Sequence, residues 1–149
     1  MSQQPLQHHQ AEQQIRDRVN QYVNAVRSKD VTQIATLYSD DVVAFDAILA
    51  LQFVGKAAYI AHWHTCMGYA KGDTLFEVHQ LQVTASEQLA FSHSINRCGC
   101  ANEQGKMESS WMRSTQCWRH SSDGWKIVHE HFSAPFDVDS GQAMFNLQP

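Results

Sequence analysis

A chain of 149 residues and 16.9 kDa makes one ordinary domain, with a core large enough to fold without a disulfide or metal staple. Hydrophobic residues make up 43% and charged residues 17%, with seven Gly and three Pro, which excludes collagen-like, low-complexity and largely disordered classes. Eleven Lys and Arg against fifteen Asp and Glu give a formal charge of −4 with no basic stripe, so nucleic acid is not an expected partner.

Residues 1–14 hold six Gln, two adjacent His and little that is apolar, so a flexible N-terminal arm is expected ahead of the domain proper at 15–135. From Ile15 the apolar residues Ile15, Val19, Tyr22, Val23 and Val26 recur at three- and four-residue steps, predicting a first helix to about Arg27. Asp30 with Gln33 forms a capping-box arrangement ahead of a short second helix, whose buried stripe is Val31, Ile34, Ala35 and Tyr38. Ser39, Asp40 and Asp41 then break the helix, and residues 42–45 suit a strand with Asp46 at its end. The longest apolar stretch, 47–54, contains Gln52 and is too short to span a bilayer, so no membrane contact is expected. Gly55 opens a third helix with Ile60, Trp63 and Met67 on one face, stopped by Gly68 and Gly72.

The second half changes period. Phe76 and Val78 share one parity, whereas Leu81, Val83 and Ala85 have the other, which predicts a bulge or strong bend near His79 and Gln80. Residues 89–100, 107–120 and 125–134 follow as strands of an antiparallel meander, separated by turn-rich segments. Helices followed by consecutive strands indicate an α+β fold, a curved sheet whose concave side is covered by helices with a pocket between them. Residues 136–149 carry Ala143, Met144, Phe145 and Leu147 and are expected to dock on the body or on a partner subunit.

Strict alternation in the last strand puts Trp125, Ile127, His129, His131 and Ser133 on one face, and Lys126, Val128, Glu130 and Phe132 on the other. In the preceding strand Arg113, Thr115 and Cys117 share a face, and His93 joins from the strand before. A guanidinium, a hydroxyl and several imidazoles are thus expected to converge in the concave pocket. The competing expectation is a satisfied interior network or side chains in solvent. An inward Arg113 would grip a carboxylate or a developing enolate, which points to an anionic or carbonyl-containing ligand. His62 and Cys66 at helical spacing, and Cys98 with Cys100 on one strand face, form no zinc spacing with a partner pair. With no glycine-rich phosphate loop and no Gly-x-Ser-x-Gly elbow, neither metal nor organic cofactor is expected. Without a signal-like N-terminus, the four cysteines fit a reducing, cytoplasmic setting.

The stretch Tyr22-Val-Asn-Ala-Val-Arg-Ser-Lys-Asp30, then Leu37-Tyr-Ser-Asp-Asp-Val42 and Asp46, resembles the opening of the ketosteroid isomerase-like branch of the nuclear transport factor 2-like superfamily. The closing Asp123-Gly-Trp-Lys-Ile-Val-His-Glu-His-Phe-Ser-Ala-Pro135 is similar to SnoaL-like proteins, in which a Trp-x-Ile-x-His-x-His-x-Ser pattern ends the sheet. The resemblance covers most of residues 15–135 and implies a cone of three helices inside a bent antiparallel sheet, assembled as a homodimer. It places Tyr22 on a tyrosine that donates to an enolate oxygen, and Asp46 on a proton-shuttling carboxylate. The second acid of the isomerases has no counterpart around residues 114–116, which argues against steroid isomerisation itself.

The expected function is cofactor-free acid–base chemistry on a small carbonyl compound, by isomerisation, cyclisation or dehydration. Asp46 or His129 would take a proton, Tyr22 and Arg113 would hold the oxygen that gains charge, and Thr115, His131, His93 and Trp63 would contact the ligand. The alternative is a non-catalytic ligand-binding or association domain. Trp118, Val128 and Phe132, on the sheet's other face, predict a homodimer through the convex surface.

Overall fold

The computed structural model describes residues 4–149. Its first helix, α1, spans Gln4–Arg27 without interruption and so takes in most of the segment expected to be a flexible arm; residues 1–3 of that arm lie outside the described residues. Pro5 stands in the first turn, where the absent N–H breaks no helical bond. The added turns are anchored, since Ala11 is buried and Gln14 Oε1 accepts the Trp125 indole N–H at 2.9 Å. Ile15, Val19, Tyr22 and Val26 form the buried stripe that the spacing predicts.

Asp30 caps α2 (Val31–Thr36), its Oδ1 accepting the Gln33 N–H at 3.0 Å. Tyr38 does not extend the helical stripe but opens β1 (Tyr38–Phe45), so Ser39, Asp40 and Asp41 lie inside a strand instead of breaking a helix. The two aspartates keep to the surface, pairing with Lys56 at 3.1 Å and Arg119 at 2.9 Å, while Tyr38, Val42 and Ala44 are buried. The short β2 (Phe53–Val54) and Gly55, at a φ of 89°, lead into α3 (Lys56–Tyr69).

The meander then runs through β3 (Thr74–Ala85), β4 (Leu89–Ala101), β5 (Met107–Ser121) and β6 (Gly124–Ser133). Sheet order is β2-β1-β6-β5-β4-β3; the β1–β6 pair is parallel and the others antiparallel. With α1 against β3 and α3 against β1, the helices cover one face of the sheet, the α+β arrangement expected.

Two bulges decide which residues face inward. In β3 the register slips between His79 and Gln82, with Gln80 at a φ of 54°, where the change of parity predicts it. The second lies in β6 and has no signature in the sequence pattern: His129 opposes Cys117 and Ile127 opposes Trp118, leaving Val128 as the extra residue. Trp125 and Ile127 point into the core, the phase then inverts, and Glu130 and Phe132 point in after it. His129 and His131 consequently lie on the outer face.

On β5 the inward set is Met112, Ser114, Gln116 and Trp118, so Arg113, Thr115 and Cys117 face outward, as does His93 opposite Thr115 on β4. The convergence of these groups in the cone is therefore corrected. Trp118 and Phe132, expected on the convex face, are core residues at 0% and 7% exposure. Hydropathy misleads here because the inward positions of β4 and β5 include small polar groups that satisfy one another. Ser94 donates to Asn96 Oδ1 at 2.7 Å, Asn96 Nδ2 to Ser114 Oγ at 2.9 Å, and Trp118 Nε1 to Ser92 Oγ at 3.0 Å.

Phe136 and Ala143 form an isolated bridge in the tail, and Phe145 and Leu147 line a surface groove together with Arg97, Ser109 and Trp111. Among the described residues no helix is long and apolar enough to cross a membrane.

Candidate functional site

The inverted half of β6 carries Glu130 into the core at 0% exposure. Tyr38 of β1 and Tyr59 of α3 each donate a hydroxyl to Oε2 at 2.6 Å, and Gln116 Nε2 of β5 donates to Oε1 at 2.7 Å. Trp63 Nε1 donates in turn to Tyr38 Oη at 3.2 Å. Among the described residues no cation pairs with Glu130. Burial raises its pKa above the ordinary carboxylate value, opposed by the three donors. Burial first and the charge of Glu130 second raise the phenols of Tyr22, Tyr38 and Tyr59 well above their usual value, so they remain protonated, and Tyr38 and Tyr59 act as donors.

Asp46 stands just past β1 and serves two ends. Its Oδ1 accepts the Ile48 N–H at 3.3 Å and holds the turn, while Oδ2 lies 3.3 Å from Tyr59 Oη and 3.4 Å from His62 Nε2. Spacings of three and four residues put Tyr59, His62, Trp63 and Cys66 along one side of α3, toward β1 and the core. Phe53 of β2 stacks on the buried His62 ring, with centroids 4.0 Å apart, and Cys66 Sγ is 3.5 Å from His62 Nε2.

A cavity of about 220 Å³ lies against this group. Its walls include Val26, Trp63, Phe76, Met112 and Phe132, and among the described lining residues Asp46 is the single charged one. The Cys66 and Cys98 thiols also line it. Burial, reinforced by the charge of Asp46, pushes them up to about 11 and about 12, so they are protonated and weakly polar wall atoms. Thr74 Oγ1, in the same wall, is buried without a hydrogen-bond partner. Among the described residues no three metal-ligating side chains cluster. A carboxylate backed by an imidazole and a phenol, open to an apolar cavity, is suited to moving protons on an uncharged molecule.

Of the residues singled out from sequence, Asp46 and Trp63 meet at this cavity. Tyr22 is buried behind two of its walls, edge-on to Trp63 at 6.1 Å and Phe76 at 5.7 Å, with its hydroxyl unpartnered. The other five lie on the outer face. His129 Nδ1 donates to Val43 O at 2.6 Å, and His129 and His131 pack against Phe45. Arg113 Nε donates to Ser133 Oγ at 3.1 Å, and Thr115 and His93 are exposed neighbours. An inward guanidinium for an anionic ligand is therefore corrected: Arg113 does not line the cavity. Sequence reasoning missed His62, Tyr38, Tyr59, Gln116 and Glu130. The run Tyr59, His62, Trp63, Cys66 was the available signal on α3; strict alternation in β6 concealed Glu130.

Residues 15–137 match the model of the SnoaL-like domain. The chain belongs to the SnoaL-like family. The crystal structure of an NTF2-like protein of unknown function from Pseudomonas putida KT2440 is 45% identical over 93% of this SnoaL-like chain and 96% of that one, with a TM-score of 0.86. A putative dehydratase from the NTF2-like family of Streptomyces avermitilis has the same fold at 14% identity, covering 84% of this chain and 96% of that one, with a TM-score of 0.73. So does a ketosteroid isomerase-like protein from Erwinia carotovora atroseptica SCRI1043, at 20% identity, 82% and 94% coverage and a TM-score of 0.68. No curated protein matches the chain.

Proposed function

We propose that this SnoaL-like protein binds a compact, uncharged and largely apolar carbonyl compound in its cone and carries out cofactor-free acid–base chemistry on it, by isomerisation, cyclisation or dehydration. One observation carries the reading: among the described residues Asp46 is the single charged group lining an otherwise apolar cavity, and it is backed by Tyr59 and His62. Asp46 moves the proton and His62 holds its carboxylate in place. The unpartnered Thr74 hydroxyl donates to the substrate oxygen as charge gathers there. The likeness in fold to a putative dehydratase and to a ketosteroid isomerase-like protein supports the reaction class.

Two further parts belong to this reading. The convex face carries Phe45, Phe91 and the half-buried Ile95 beside His93 and His131, and we assign a homodimer to it, to be checked by sedimentation at micromolar concentration. Four free cysteines support a reducing, cytoplasmic setting.

Native mass spectrometry against a pool of small ketones, enones and carboxylates tests the pocket. The wild type is expected to retain a neutral carbonyl compound, Asp46→Asn to lose it, and Arg113→Ala to keep it. Retention of no ligand by a folded wild type would overturn the reading in favour of an association module.

A further inference from the structure

Tyr59 Oη touches two carboxyl groups at once, lying 2.6 Å from Glu130 Oε2 and 3.3 Å from Asp46 Oδ2. A phenol has one proton to donate. With both carboxylates ionised, one of these contacts would set lone pair against lone pair beside a residue with no access to water. The surrounding groups do not relieve this. Tyr38 donates its proton to Glu130 Oε2 while accepting from Trp63 Nε1, and Gln116 serves Oε1. His62 Nε2 reaches only the Asp46 end of the chain. The line of three oxygens is fully bonded when it holds one carboxyl proton besides the phenolic one. Two arrangements achieve this: Asp46 donates to Tyr59 and Tyr59 to Glu130, or Glu130 donates to Tyr59 and Tyr59 to Asp46.

We propose that Glu130 is a proton store for Asp46, the two carboxyl groups sharing one proton through the Tyr59 hydroxyl. The inference rests on Asp46 being the proton-moving group of the cavity. In the exchange the Asp46 Oδ2–H bond breaks as a Tyr59 Oη–H bond forms, and the former Oη–H bond breaks as Glu130 Oε2–H forms. The pair keeps a net charge of −1 throughout. With the proton on Glu130, Asp46 meets a substrate as a base; with the proton on Asp46, it meets a substrate as an acid. The buried relay converts one form into the other without a proton from solvent, and Glu130, which does not line the cavity, acts as a positioning residue.

The ionisable groups around the pair are Tyr22 from α1, Tyr38 from β1, Tyr59, His62 and Cys66 from α3, and Cys98 from β4. Carboxyl carbon-13 chemical shifts of the labelled full chain, followed against pH without any ligand, read the sharing directly. Asp46→Asn and Glu130→Gln assign the two signals. In the wild type, both carbons are expected to move through the same steps. Tyr59→Phe is expected to abolish the common step, leaving the Asp46 carbon a single step of its own. Glu130→Gln, which keeps the shape of the side chain, is expected to leave Asp46 a single step as well and stands as the test if Tyr59→Phe does not fold. Fully ionised shifts for both carbons at neutral pH, or an Asp46 profile unchanged in the folded variants, would overturn the store. Independent steps together with ligand retention that depends on Asp46 would remove the store and leave the pocket. Common steps with no ligand retained would remove the pocket reading and leave the shared proton.

Discussion

Residues 129, 130 and 131 set three ionisable side chains on two faces of one sheet, and the faces treat them differently. Inside, Glu130 has 0% exposure, and all its hydrogen bonds come from the protein: two phenols and one amide. Outside, His129 and His131 lean on Phe45, and His131 and Arg113 are open to water that can replace a lost partner. The contrast teaches that burial and pairing, more than residue type, set how much a polar side chain matters to this fold. A buried carboxyl group stripped of its donors, or donors stripped of their carboxyl group, have nowhere else to turn.

The largest expected effect comes from emptying the inner site. Glu130→Ala orphans three donors and opens a void, and should cost about 3 kcal/mol or more in urea unfolding, whereas His131→Ala should stay within about 0.5 kcal/mol. Equal losses would erase the contrast between the faces. Adjacent residues on β5 repeat the test at smaller scale. Ser114 lies 3.2 Å from Ser94 Oγ and accepts from Asn96 at 2.9 Å, so Ser114→Ala should cost about 1–2 kcal/mol and Thr115→Ala close to nothing in the same assay.

The pH dependence of stability sharpens the comparison further. Because burial raises Glu130 above its unfolded value, the folded state binds that proton more tightly. The stabilising contribution is complete below the unfolded value and is lost as pH rises through the folded one. The difference in Tm between wild type and Glu130→Gln should therefore shift against the wild type as pH rises through that range. The smallest effect is expected at Arg113, which donates to Ser133 on the exposed outer face: Arg113→Ala should alter neither Tm nor ligand retention measurably.

Much of this architecture was legible in the chain. The helical steps from Ile15 to Val26, the Asp30 cap and the parity change at His79 and Gln80 are local signals, and local physics decided them. The limits of α1 and β1 were less so. Gln-rich turns read as an arm until Trp125 and Gln14 meet across 111 residues, and an aspartate pair reads as a break until Lys56 and Arg119 receive it. Of the site, Asp46 and Trp63 were visible. Glu130 was not, because its orientation depends on a bulge that forms only against β5. Gln116, Ser94 and Ser114 were hidden by their own polarity, which marks them as surface residues until their partners are known.

The unmatched Val128 also bears on how relatives of this chain should be aligned. The string Trp-x-Ile-x-His-x-His-x-Ser gives no sign that its first two anchors and its two histidines belong to opposite sides of a wall. A relative with the identical string paired without the bulge would align without a gap and yet enclose imidazoles where this protein encloses a carboxyl group. Removing Val128 here should leave the downstream interior in place, because Ile127, His129 and Glu130 would then alternate regularly against β5 in the register they already keep. At that point strand pairing, not residue identity, selects the side chains that the wall encloses, and an identity score is blind to it.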